Sequence, residues 1–191
     1  MLDYLIASKT RLKILRLFYQ DPASQHYLRE IVRIIGEEVN AVKRELDILD
    51  KARVLSKERR LNKVFYTLNP KYLLYEDFTR IFAKDNDLAR QLIKMAGKLG
   101  KLKYLVMSIK YAKKQVIRED EVYVLFVGTV VVPEVEALLA SFEQPFGMPI
   151  NFTVMNEQEL IFRKRNNDPF LWQFLRTPKI MLVGLEEDLM K

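Results

Sequence analysis

EEVNAVKRELDILDKARVLSKERRLNKVFYTL, residues 37–68, changes its hydrophobic period once, and the change decides how the chain is read. Over residues 37–52, Val39, Val42, Leu46 and Leu49 recur at spacings of 3, 4 and 3, a single stripe along a helix. Asn40, Lys43, Arg44 and Asp47 fall on the other side. From Val54 the pattern alternates. Residues 54–59 read as a strand, Arg60-Leu61-Asn62 as a turn, and residues 63–68 as the returning strand, with Val64, Tyr66 and Leu68 alternating against Phe65 and Thr67. Asn69-Pro70 closes the hairpin.

Working outward, two more helices precede this unit. Ser8 stands where an N-cap belongs, and Leu12, Ile14, Leu15 and Phe18 follow at helical spacing. Asp21-Pro22 ends that helix, because proline disfavours helical geometry in the residue before it. Residues 25–35 read as the second helix, with Leu28, Ile31, Val32 and Ile35 on one face, His26 as a capping or surface residue at its start, and Gly36 as the turn that follows. The order helix, helix, turn, helix, hairpin is that of a winged helix-turn-helix, whose third helix enters the major groove. Asn40, Lys43 and Arg44 then face base edges, arginine and lysine suiting guanine and asparagine suiting adenine. Lys57, Arg59, Arg60 and Lys63 on the hairpin are placed for phosphates or the minor groove, and Arg29 and Arg33 for the DNA backbone. Asp47, on the same side as Arg44, would repel phosphate.

The stretch Ser8-Lys9-Thr10-Arg11-Leu12-Lys13-Ile14-Leu15 is similar to the first helix of ArsR-type regulators, and Lys63-Val64-Phe65-Tyr66-Thr67-Leu68-Asn69-Pro70 resembles the strand that closes their wing. The resemblance covers about residues 5–70. It implies a homodimer that binds a palindromic or pseudo-palindromic site in double-stranded DNA. The metal-sensing cysteines of that family are missing, for the chain has no cysteine at all, which also excludes disulfides and thiolate metal sites. A single histidine builds no zinc or copper site, and no metal or other cofactor is expected.

The net charge of +7 is unevenly placed. Residues 1–70 hold 14 Lys and Arg against 9 Asp and Glu, residues 71–115 hold 11 against 4, and residues 116–191 hold 7 against 12. A polyanionic partner is therefore expected for the first part of the chain and not for the last. No apolar run reaches the roughly 18–20 residues that span a bilayer, and the first residues lack the pattern of a signal peptide, so a cytoplasmic protein without a membrane partner is expected.

Residues 71–100 read as helical, with Asp85-Asn86-Asp87 as a break and Gly97 and Gly100 marking the end. Strands then alternate with helices: strands at residues 102–107, 122–127, 150–155 and 179–183, helices at 133–142, from 157 to about 165, and from Asp168-Pro169 onward. Trp172, between Phe170 and Phe174, reads as core or subunit packing. The expectation is thus an α+β / α/β two-domain chain: a winged helix-turn-helix at residues 1–72, a helical connector at 73–100, and at 101–191 a mixed sheet with flanking helices.

The second half resembles nucleotidyltransferases of the polymerase-beta type. That family carries a strand, a Gly-Ser loop that cradles the triphosphate, and then Asp-x-Asp for Mg²⁺ at the next strand. The first strand, Tyr111-Ala112-Lys113-Lys114 at the end of the loop, and Val124-Leu125-Phe126-Val127-Gly128 fit that spacing without a gap, over about residues 100–187. On this register Ile109 and Lys110 replace Gly-Ser, Glu121 replaces the first aspartate and Tyr123 the second. Catalysis is expected to be lost and the degenerate site left for sensing, dimerisation or a partner protein. The alternatives are an active enzyme using Glu119, Asp120 and Glu121, a sensor whose Lys110, Lys113 and Lys114 attract an anionic effector, and an antitoxin-type docking surface.

Overall fold

The computed structural model describes residues 2–191, which divide into two compact units, 2–85 and 86–191. In the first, a 3₁₀ turn at Leu2–Tyr4 precedes α1 (Lys9–Gln20), β1 (His26–Tyr27), α2 (Leu28–Ile35), α3 (Val39–Lys51), β2 (Leu55–Arg60), β3 (Lys63–Leu68) and α4 (Tyr75–Asp85). Ser8 caps α1 by accepting a bond from the Arg11 amide at 3.2 Å. Gly36 ends α2 at φ +63°, a left-handed conformation that costs glycine nothing, and its N–H donates to Val32 O. The apolar stripes of the helices meet in a core that includes Ile14, Phe18, Ile31, Val42 and Leu46, all fully buried. Each such side chain contributes about 1.5–3 kcal/mol.

The residues read as the first turn of the second helix form a strand instead. His26 pairs with Tyr66 and Tyr27 with Phe65, so the wing is a three-stranded antiparallel sheet in the order β1-β3-β2. Pairing with β3 overrides local helical periodicity here, and only at Leu28 does the helix begin. His26 is therefore not a cap: its ring stands edge-on to Phe18 at 5.5 Å, and its Nδ1 lies 3.2 Å from Glu30 Oε1. The turn is shorter than read, since Arg60 pairs with Lys63 and only Leu61-Asn62 lie between. Leu61 takes φ +53° at the tip and is almost wholly exposed. With three helices, a short strand between the first two and a hairpin after the third that pairs with it, the first unit is a winged helix.

In the second unit α5 (Asp87–Leu99) begins at Asn86, whose side chain accepts from Ala89 N at 2.8 Å. Gly97 lies in the last turn of this helix, and Gly100 terminates it. Then come β4 (Gly100–Ser108), the single turn α6 (Ile109–Ala112), β5 (Val124–Val130), α7 (Val132–Phe146), β6 (Phe152–Met155), α8 (Glu157–Arg165), α9 (Pro169–Arg176), β7 (Lys179–Val183) and α10 (Glu186–Met190). The sheet order is β6-β5-β4-β7, with β5 parallel to β6 and the other pairs antiparallel. The apolar runs sit in the two central strands, where Leu105–Met107 and Val124–Val127 are all buried. Gly128, at φ +139°, is required by packing: a Cβ there would stand 2.2 Å from the Lys101 carbonyl oxygen on the neighbouring strand. No helix among the described residues is long and apolar enough to cross a membrane.

Candidate nucleic-acid interface

α3 buries Val42, Glu45, Leu46 and Leu49 and leaves Asn40, Lys43 and Arg44 exposed on its opposite side. None of these three makes a side-chain hydrogen bond or ion pair among the described residues. Arg29 and Arg33, one turn apart on α2, are likewise exposed and unpaired. Their donors are free for an acceptor outside the chain.

The wing cations divide into two kinds. Arg59 is exposed and has no side-chain hydrogen bond or ion pair among the described residues. Lys57 Nζ lies 2.6 Å from Asp50 Oδ2 on α3, and that carboxylate raises its pKa. Arg60 is shared between Gln25 Oε1 at 2.9 Å and Glu58 Oε2 at 2.7 Å, with Glu58 stabilising its charge, and its guanidinium stands 5.6 Å from the Phe65 ring centre. Lys63 Nζ sits 4.3 Å from the centre of the Tyr27 ring. Lys57 and Arg60 have intramolecular partners to leave before they reach a phosphate; Arg59 does not.

Three carboxylates that the stripe pattern did not bring out hold α3 in place. Glu45 is buried and accepts from Ser8 Oγ at 2.7 Å and from Arg11 Nε at 2.8 Å, tying α3 to the start of α1. Glu37, ahead of α3, pairs with Lys13 at 2.6 Å, and the ammonium holds its carboxyl below the usual range. Lys13 also donates to Ile35 O, so one side chain binds both ends of the turn between α2 and α3. Asp50 is the third, through Lys57. The available signal was position: Glu45 is three residues after Val42 and four before Leu49, a charge on the core side of the helix.

The residues read as a worn nucleotide site lie together in the second unit, bonded to one another. Ile109 is buried, and its N–H donates to Pro178 O at 3.1 Å. Lys110 Nζ lies 2.6 Å from Glu121 Oε1, which also accepts from Gln173 Nε2 at 3.0 Å. Glu121 Oε2 accepts from the Arg118 amide at 3.0 Å. Lys110 first, and then these donors, bring the Glu121 carboxyl down to about 2. Tyr123 is buried, its O–H donates to Gln115 O at 2.8 Å, and its ring packs edge-on against Phe146. A shallow depression lies beside them, lined by Lys110, Glu121, Phe170, Gln173 and Thr177 among others. Glu119 and Asp120 are exposed, and Asp120 pairs with Arg118 at 3.2 Å. Lys113 and Lys114 are half-buried at the end of α6, and both are engaged within the chain. Among the described residues no three of His, Asp and Glu come together to hold a metal ion.

No family model and no curated protein matches the chain. Among solved structures, reduced HlyU from Vibrio cholerae N16961 is 21% identical over 39% of this chain and 78% of its own, with a TM-score of 0.33. Rv0081 of M. tuberculosis is 20% identical over 48% and 81%, with a TM-score of 0.34. A ferric uptake regulator from Francisella tularensis, solved with iron, is 13% identical over 78% and 87%, with a TM-score of 0.31. The winged-helix assignment rests on the element order and strand register given above.

Proposed function

We propose that the protein is a transcriptional regulator that reads duplex DNA with α3 and contacts the backbone with its wing. The observation that carries this reading is the solvent face of α3, where Asn40, Lys43 and Arg44 stand exposed without side-chain partners among the described residues. A side chain with no partner in the fold keeps its donors for base edges, whereas Lys57 and Arg60 suit a positioning role at phosphates. The protein acts as a homodimer on an inverted repeat. Its second unit is a nucleotidyltransferase-like fold without catalysis, serving sensing, dimerisation or partner binding. The Lys110–Glu121 pair and the buried Tyr123 support the loss of turnover, because the carboxylate that would face a metal is neutralised by an ammonium and the next position is a packed phenol.

The test is binding of the full chain to random duplex DNA across a salt series, followed by selection of preferred sites. Tight, salt-sensitive binding with an enriched inverted repeat is the expected result. Absence of binding at low salt overturns the reading. Mg²⁺-dependent turnover of a nucleotide, abolished by Glu121→Ala, would overturn the assignment of the second unit.

A further inference from the structure

A second basic surface lies in the second unit, on a helix that neither α3 nor the wing includes. α5 turns Leu88, Ala89, Leu92 and Leu99 inward and leaves Arg90, Lys94, Gly97 and Lys98 exposed. Arg90, Lys94 and Lys98 are spaced four apart, so they form one stripe about 12 Å long. Like charges at that spacing oppose helix formation. Arg90 is relieved by Asp87 at 2.6 Å, but Lys94 and Lys98 have no ion pair among the described residues.

Gly97 lies within the stripe, and the fold gives no reason for it. Glycine inside a helix weakens it relative to alanine. Yet Gly97 has ordinary helical geometry, and a Cβ placed there would meet nothing within 4 Å. Neither backbone strain nor packing asks for a residue without a side chain. A bare helix surface flanked by unpaired cations is what the close approach of another molecule's anionic backbone requires.

We propose that this face of α5 docks the phosphate backbone of duplex DNA, in addition to the winged helix; the inference rests on the DNA-binding reading. Duplex DNA carries one charge per about 3.4 Å of each strand, dense enough to meet cations roughly 6 Å apart. The face carries no aromatic side chain on which unpaired bases would stack. Ile93 is the one large apolar side chain exposed on the helix, too little for insertion into a lipid surface.

The experiment titrates the full chain against random duplex DNA over a salt series, with a Lys94→Gln/Lys98→Gln double variant and with Gly97→Gln. The double variant is expected to raise Kd on the order of tenfold or more at about 100 mM salt and to lower the slope of log K against log salt by about 1.8, with site preference unchanged. Gly97→Gln is expected to melt no lower than the parent and to bind severalfold more weakly, a combination that loss of folding would not give. Parental binding by both variants, while Arg44→Ala binds weakly, overturns this inference and leaves the winged-helix reading standing. Failure of the parent itself to bind removes both. Loss by the double variant of binding to phosphatidylserine vesicles, with DNA binding intact, assigns the face to lipid and also overturns the proposal.

Discussion

The solvent face of α3 and the Lys110–Glu121 cluster hold similar kinds of residue in opposite states. On α3 the donors point outward and stay unpaired, while the carboxylate beneath them, Glu45, is held by Ser8 and Arg11. In the second unit the polar groups end on each other: Lys110, Gln173 and the Arg118 amide all converge on Glu121. The first arrangement spends its internal bonds on orienting a surface whose own hydrogen bonds are left to a partner. In the second the ammonium and the carboxylate already neutralise each other, so a charged ligand would have to compete with an existing pair.

That contrast can be broken at its strongest point first. Glu45→Ala removes the acceptor of two donors at the α1–α3 contact and is expected to cost about 2–3 kcal/mol of stability, read as a lowered Tm. A near-parental Tm would mean that α3 is held by its apolar stripe alone. Arg44→Ala is expected to weaken binding to the preferred site by about 1–3 kcal/mol and to relax base preference with no change in Tm. An equal loss on all sequences would move Arg44 from the bases to the backbone.

Lys110→Gln sharpens the other side. With its carboxyl lowered to about 2 from an ordinary value of 4.5, Glu121 contributes stability that is present above pH 4.5 and lost as pH falls toward 2. Removing the ammonium is expected to cost about 1–2 kcal/mol at neutral pH, after allowance for solvent screening, and to flatten stability over that acid window. A pH profile identical to the parent would show that the pair contributes nothing. The smallest effect separates the wing cations. Arg59→Ala is expected to lower the salt slope of DNA binding by about 0.9, and Lys57→Ala by less, since Lys57 spends part of its charge on Asp50. A larger drop for Lys57 would mean that its ammonium leaves Asp50 on binding.

Where the hydrophobic period was unambiguous, the elements were legible in the sequence. Residues 63–68 form the predicted strand with the same bounds, Asn86 caps α5 at the predicted break, and the four strands of the second unit fall where the apolar runs lie. What escaped was set by pairing or by single side chains. His26-Tyr27 has no strand signature of its own and becomes one against β3. α10 is a five-residue helix too short to show periodicity. The exposure of Asn40, Lys43 and Arg44 follows from the stripe on α3. The partners of Lys57 and Arg60 do not, because Asp50 and Gln25 belong to other elements and only folding brings them near.

The placement of β7 bears on how the chain is made. β4 is a central strand, flanked by β5 on one side and β7 on the other, and its residue Ser108 pairs with Lys179, 71 positions later. At a synthesis rate of roughly 5–20 residues per second, one edge of β4 waits about 4–14 s for its partner to be translated. The winged helix has no such delay, since every strand of its sheet is translated by Leu68. During synthesis the second unit therefore passes through a period in which an apolar strand has an open edge, and an early stop anywhere before β7 leaves that edge permanently available to other chains.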